Sequence, residues 1–132
     1  LYLDAKEHKW IEEFATSNFL AITKDGRYVT VKSSSILPSI TNMSLQQLAR
    51  DHGIPVEVRR IAFDEVADFA EVAACGTAVV ITPVHQIERA GRVYKTGPET
   101  GCGPVLEKLY RAVQGIQYGE RPDVHGWNVE VE

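Results

Sequence analysis

Short apolar runs separated by turn residues dominate the chain, and two longer segments repeat at the helical period instead. Residues 1–4 read as a strand. "NFLAITKDGRYVTV" reads as a hairpin, because two β-rich runs flank Asp25-Gly26, a pair favoured by a tight type I′ turn. "KSSSILPSIT" is polar and broken by Pro38, so it reads as a loop. "TNMSLQQLARDHG" places Leu45, Leu48, Ala49 and His52 on one helical face, with Thr41 or Asn42 as N-cap and Gly53 after the last turn. "IPVEVRRIAF" alternates as a strand does, and Asp64 is placed to cap a short helix "DEVADFA" whose Val66, Phe69 and Ala70 share a face. "ERAGRVYKT" predicts a second hairpin. Pro104 opens a helix, "PVLEKLYRAVQG", with an apolar stripe of Leu106, Leu109, Tyr110 and Val113, and the tail "QYGERPDVHGW" is loop-like. Without repeats or linkers, the pattern predicts one α+β domain over residues 1–132, with mainly hairpin-connected, antiparallel strands and about three helices.

Residues 71–87 raise a separate question. The run "EVAACGTAVVITPV" looks like one buried strand interrupted by Gly76 and Thr77. Glycine costs about 0.5–1 kcal/mol in such a place, so the backbone is expected to bend there or to approach something closely.

Composition narrows the classes. The chain has 132 residues, 44% hydrophobic and 24% charged, enough for one domain with its own core. Its formal charge of −4, without a basic stripe, argues against nucleic acid as a partner. The absence of an apolar run of about 18 residues argues against a membrane span. Cys75 and Cys102 have neither CxxC spacing nor disulfide-scaffold density, and no secretory signal is visible, so a cytoplasmic location is expected. The chain opens on "LYLDAKEHKW", apolar from residue 1, which reads as a start in mid-strand and hence as part of a longer protein.

Three places could carry chemistry. The loop through Pro38 into the first helix offers free N–H groups and the Thr41 hydroxyl, either as an anion site or only as the helix's own cap. Around Gly76, "CGTA" could form a concave nest of amides joined by the Thr77 hydroxyl, or a plain β-bulge. In "WIEEFATSNF" one of Glu12 and Glu13 faces inward if the segment is extended, unless both are solvated at a strand edge. His8, His52, His85 and His125 lack metal-ligand spacing, and no metal is indicated. Cys75 is read as a reactive thiol or, more simply, as a small buried filler. Neither a GxSxG elbow nor a Walker loop is present, and "GCGP" is too short for a dinucleotide fingerprint.

Taken together, "EEFATSNFLAI", "SSSILPSITNMSLQQLA", "ACGTAVVITPV" and "GPVLEKLYRAVQGIQYGERPDVHGW" resemble the C-terminal half of branched-chain amino-acid aminotransferases. These are class IV pyridoxal-phosphate enzymes of the D-amino-acid-aminotransferase-like fold, and the likeness covers nearly the whole chain in order and spacing. It implies that the chain is a portion of the large, cofactor-binding domain. Glu13 matches the glutamate that pairs with the pyridine nitrogen, and a carboxylate there keeps that nitrogen protonated so that the ring can act as an electron sink. The resemblance places Thr16 and Asn18 at the same site and Leu37 against the ring face. Ile40 and Thr41 match the phosphate-holding pair. Thr77, after Gly76, matches a threonine that shares the phosphate, and the amides of Thr77 and Ala78 would also face the substrate carboxylate.

One departure weighs heavily. The family's Schiff-base lysine lies farther upstream of the glutamate than the 12 residues that precede Glu13, so neither Lys6 nor Lys9 matches it. The N-terminal domain, with its phosphate-binding arginine and much of the substrate pocket, is also expected to be missing, which leaves these 132 residues inactive alone. Val79 and Thr82 stand where mammalian relatives carry a redox CxxC, so thiol regulation of that kind is not expected. The resemblance implies a homodimeric parent of branched-chain amino-acid biosynthesis that moves the amino group of leucine, isoleucine or valine to 2-oxoglutarate. Alternatives are a D-amino-acid aminotransferase or aminodeoxychorismate lyase relative, and a non-catalytic phosphate-binding or assembly domain.

Overall fold

A computed structural model describes residues 1–132. The strands are β1 (Glu13–Phe14), β2 (Ser17–Thr23), β3 (Tyr28–Val31), β4 (Val56–Arg59), β5 (Phe69–Cys75), β6 (Ile81–Pro83), β7 (Gln86–Arg89) and β8 (Arg92–Lys95). Helices α1 (Ile40–Asp51) and α2 (Pro104–Gln117) and a 3-10 helix over Phe63–Asp68 complete the chain. The main sheet runs β4-β3-β2-β5-β6, with β1 paired to β2, and only β3 and β4 are parallel. β7 and β8 form a separate hairpin. The expected mixed, mainly antiparallel α+β architecture is what forms.

Both faces of the sheet are buried, because its central strands alternate between two apolar layers. Along β2, Leu20 and Ile22 face α1 and α2, where they meet Leu45, Leu48, Leu106 and Leu109. Phe19 and Ala21 face the other way, toward Phe63, Val66 and Ile87 of the 3-10 helix and the β7–β8 hairpin. β5 follows the same alternation until a bulge, where Ile22 pairs with Glu71 and Thr23 with Phe69. That skipped residue turns Phe69 onto the second layer.

Alternation puts Glu71 on the helical side with Ala73 and Cys75, and there it is buried. Its carboxylate accepts from the Val105 and Leu106 amides at 3.0 and 2.9 Å. It thus supplies the cap that α2 lacks locally, since the N-cap residue is Gly103, and it places negative charge at the positive end of the helix. A Cβ on Gly103 would lie 2.2 Å from Glu71 Cδ.

Several local expectations are corrected. Residues 71–87 are not one interrupted strand: the bend at 76–80 reverses the chain, and β6 pairs back on β5. Periodicity could not distinguish these, because both limbs of the hairpin are apolar. The N-cap of α1 is Ser39, whose hydroxyl accepts from the Asn42 amide at 3.0 Å, not Thr41 or Asn42. Asp64 caps nothing; in the 3-10 helix the Glu65 carboxylate accepts from the Ala62 amide at 2.9 Å. In the β2–β3 turn only Gly26 has positive φ, so the turn is not type I′ but a longer loop closed by the Thr23 amide on the Arg27 carbonyl. Residues 1–4 form no full strand but run antiparallel to residues 10–13, through the Leu3–Ile11 bridge and backbone bonds of Tyr2 with Glu12 and Glu13 and of Asp4 with Trp10.

That N-terminal segment is held by Asp4. Its carboxylate accepts from the amides of Glu7, Lys9 and Trp10 at 2.7, 2.9 and 2.8 Å. These bonds, the one from Trp10 foremost, lower its pKa from 3.8 to about 2.

Gly103→Ala is expected to destabilise the protein by about 2 kcal/mol in urea unfolding, because Glu71 cannot move aside without leaving the α2 amides. Gly76→Ala, whose Cβ would meet Ser17 Cβ at an ordinary 3.8 Å, is expected to change stability by less than about 0.5 kcal/mol. Asp4 has a depressed folded pKa, so its stabilisation is present above pH 3.8 and is lost as the pH falls through about 2. Amide exchange at Lys9 and Trp10 should accelerate across that window, and Asp4→Asn should abolish the dependence.

Candidate functional site

The site grows from the register of the shortest strand pair. β1 and β2 pair so that Glu13 lies opposite Asn18 and Phe14 opposite Ser17, with Ala15 and Thr16 turning between them. This brings the Asn18 side chain to the Glu13 carboxylate, where Nδ2 donates to Oε2 at 3.2 Å. The same oxygen accepts from the Leu37 amide at 3.3 Å, and Asn18 Nδ2 also donates to the Leu37 carbonyl at 3.1 Å. Glu13 and the loop before α1 are therefore clamped on one amide side chain. Glu13 Oε1 has no protein partner.

These residues line a cavity of about 330 Å³ whose walls are Glu13, Ala15, Thr16, Ser17 and Asn18 from β1–β2, Leu37 to Ile40 from the loop, and Cys75, Gly76 and Thr77 from the β5 end. Of the nine positions singled out in the sequence, seven come together here: Glu13, Thr16, Asn18, Leu37, Ile40, Gly76 and Thr77. Thr41 and Ala78 themselves do not line the cavity. Leu37 and Ile40 are 75% and 74% exposed, an unusual placement for such side chains and one that leaves an apolar lip at the opening.

Two sets of backbone donors surround this space. α1 begins at Ile40, and its Ile40 and Thr41 amides make no hydrogen bond within the protein, while Ser39 satisfies Asn42. In the β5–β6 bend the Thr77 and Ala78 amides are equally unpartnered. Unpaired amides at a helix start and in a bend, with the Thr77 hydroxyl, form an anion-attracting surface. Gly76 has an ordinary φ, and a Cβ there would meet nothing closer than 3.8 Å, so the fold itself does not demand glycine.

The remaining candidates stand apart. Glu12 lines another cleft together with Lys32, Ser33 and Arg60, and Glu13 is the one of the two that lines this cavity. Cys75 is buried at the cavity's base, and burial raises its thiol pKa to about 12, which makes it filler rather than a thiolate nucleophile. None of the four histidines reaches the cavity; His125 instead bonds Asp51 at 2.6 Å and stacks on Trp127. No lysine lines the cavity, and no group of three His, Cys, Asp or Glu residues could hold a metal ion. No helix is long and apolar enough to cross a membrane. Ala15, Ser17, Pro38 and Ser39 were not foreseen as lining residues. Serine and proline before a helix do mark Ser39 as a possible cap position in retrospect, whereas Ala15 and Ser17 carry no local signal.

Comparison with known proteins converges on one family. The model of class IV amino-transferases matches residues 1–87. A branched-chain-amino-acid aminotransferase of Haemophilus influenzae is 44% identical over 133 residues, covering 100% of this chain and 39% of that protein. The chain therefore spans about two-fifths of the length of this curated relative. The branched-chain amino acid aminotransferase of Escherichia coli superposes with a TM-score of 0.81 at 34% identity, over 96% of this chain and 41% of that one. The enzyme from Thermobaculum terrenum, solved in its PLP-form, gives a TM-score of 0.74 at 30% identity, over 85% of this chain and 35% of its own. With its family model matched over most of its length and its fold shared with these enzymes, the chain belongs to the class IV aminotransferases.

Proposed function

We propose that residues 1–132 supply the cofactor-holding part of a pyridoxal-phosphate-dependent branched-chain aminotransferase, and that the lysine carrying the cofactor comes from outside them. The observation that carries this reading is the donor set of one cavity: a fixed carboxylate, unpaired amides from a helix start and a bend, and a threonine hydroxyl. That set fits pyridoxal 5′-phosphate, which presents a basic ring nitrogen, an apolar ring face and a phosphate. The volume of about 330 Å³ falls within the range of small-ligand pockets. The lack of a lining lysine supports a division of the site between these residues and others.

Glu13 would hold the ring nitrogen, using the Oε1 oxygen that no protein group occupies. When bound, the cofactor supplies an electron sink for cleavage at the substrate α-carbon. Glu13 keeps a proton on the ring nitrogen by placing a carboxylate beside it, a charge-assisted bond worth about 1.5–3 kcal/mol. Asn18 braces that carboxylate from β2, Thr16 lines the cavity from the β1–β2 turn, and Leu37 covers the ring face. The Ile40 and Thr41 amides, with Thr77, hold the phosphate. The Thr77 and Ala78 amides orient the substrate carboxylate, and Gly76 keeps that approach free of a side chain. The substrates would be leucine, isoleucine or valine, with 2-oxoglutarate as acceptor, and the whole enzyme would be a homodimer.

A polypeptide of the relatives' full length carrying these residues in register is expected to form glutamate from leucine and 2-oxoglutarate, and residues 1–132 alone are not. Absence of glutamate from the longer protein with pyridoxal phosphate would overturn the reading, and preference for D-alanine or aminodeoxychorismate would replace it with another member of the family. In the same protein, Glu13→Gln should lower kcat about a hundredfold, the scale for removing a preorganised electrostatic partner. Thr77→Val should weaken cofactor retention in dialysis, and unchanged retention would return the 76–80 bend to an ordinary turn.

A further inference from the structure

Behind the cavity lies a row of buried polar side chains that ends at Asn18 in the cavity wall, and their hydrogen-bond directions follow from one another. Thr30 Oγ1 donates to the Phe19 carbonyl at 2.7 Å, so it can only accept from Asn42 Nδ2, 2.9 Å away. This fixes which end of the Asn42 amide is nitrogen. Its oxygen then faces the buried Tyr28 hydroxyl, which donates at 2.6 Å, and Gln46 Nε2 at 3.4 Å. Asn42 Nδ2 also reaches Asn18 Oδ1 at 3.5 Å. Asn18 Nδ2 faces two acceptors, Glu13 Oε2 and the Leu37 carbonyl, which leaves Oδ1 as the end turned to Asn42.

We infer that Asn42 is a positioning residue for the cofactor site, acting through Asn18 to set both the Glu13 carboxylate and the Leu37 peptide. Asn42 is 5% exposed and does not line the cavity, yet it stands in the first turn of α1, next to the Ile40 and Thr41 amides. One amide side chain therefore joins the element proposed to hold phosphate to the groups proposed to hold the ring. The orientation is not interchangeable: flipping Asn42 would set its oxygen against the Thr30 oxygen, whose only hydrogen is already committed. The two donors reaching Glu13 Oε2 leave Oε1 as the oxygen available to a ligand. The geometric part stands on these contacts alone, and its catalytic meaning rests on the reading given under Proposed function.

The test is a cycle of Asn42→Leu and Glu13→Gln, read two ways. By NMR on residues 1–132, Glu13→Gln is expected to move the Leu37 amide and the Asn18 side-chain amide, and in the Asn42→Leu background these shifts should collapse. Shifts of equal size in both backgrounds would overturn the inference. If Asn42→Leu does not fold, Asn42→Ala, which likewise removes the group that reaches Asn18, carries the same comparison. In the longer polypeptide, Asn42→Leu should weaken pyridoxal 5′-phosphate about tenfold, the scale on which supporting partners act at metal sites. That loss should vanish in the Glu13→Gln background, and an equal loss in both would mark Asn42 as merely structural. Coupled NMR shifts without any pyridoxal phosphate binding by the unmodified longer protein would support the positioning and sink the cofactor reading.

Discussion

A buried amide must find partners at both of its ends, and at Asn42 that requirement joins the sheet, the first helix and the cavity. An unsatisfied amide in such a place costs about 1–3 kcal/mol, so the Tyr28, Thr30 and Asn18 contacts are obligatory once α1 packs on the sheet. Strand alternation makes them possible. Asn18, Tyr28 and Thr30 sit on the helix-facing side of β2 and β3, in the same layer as Leu20 and Ile22, and Asn42 enters that layer from α1. The apolar packing of α1 through Leu45, Leu48 and Ala49 thus presses a polar first turn against a polar corner of the sheet. Glu13 inherits its place from this corner through the Asn18 register.

A second carboxylate plays a parallel part. Glu71 reaches across 34 residues to cap α2, and Gly103 leaves the space it occupies. The two helices are therefore both fastened to the sheet at their N-terminal ends by polar side chains, but with different consequences. At α2 the amides are used up by Glu71. At α1 Ser39 satisfies only Asn42, and the Ile40 and Thr41 amides stay free beside the cavity. The difference in capping is what makes one helix start a structural joint and the other a donor to a ligand.

Much of this fold is written in local pattern. The β2–β3 and β7–β8 hairpins and both α-helices were legible in outline because their periods and flanking Gly and Pro residues agree, whereas the β2–β3 turn type and the α1 cap were not. Features that depend on distant partners were not. Glu71 reads as an oddity in an apolar strand until α2 is placed beside it, and the β5–β6 reversal is hidden because its two limbs are equally apolar. Thr41 or Asn42 reads as the α1 cap in the sequence although Ser39 is the cap, because three neighbouring residues are competent caps and only the backbone angles choose among them. At the cavity, local pattern left Glu12 and Glu13 undecided. The family likeness named Glu13, and the register opposite Asn18 supplies its physical reason. Asn42 could not be foreseen as anything more than a helix residue, since its partners come from two strands.

The claim at the centre of this account is that the clamped Glu13 carboxylate governs the protonation of a bound pyridine ring. Nitrogen NMR of pyridoxal 5′-phosphate labelled with ¹⁵N at the ring, bound to the longer protein that carries these residues, measures this directly. The account predicts a protonated ring nitrogen whose resonance moves to the unprotonated position when Glu13 is replaced by Gln. A ring nitrogen that is unprotonated in the unmodified protein, or one indifferent to Glu13→Gln, would contradict it.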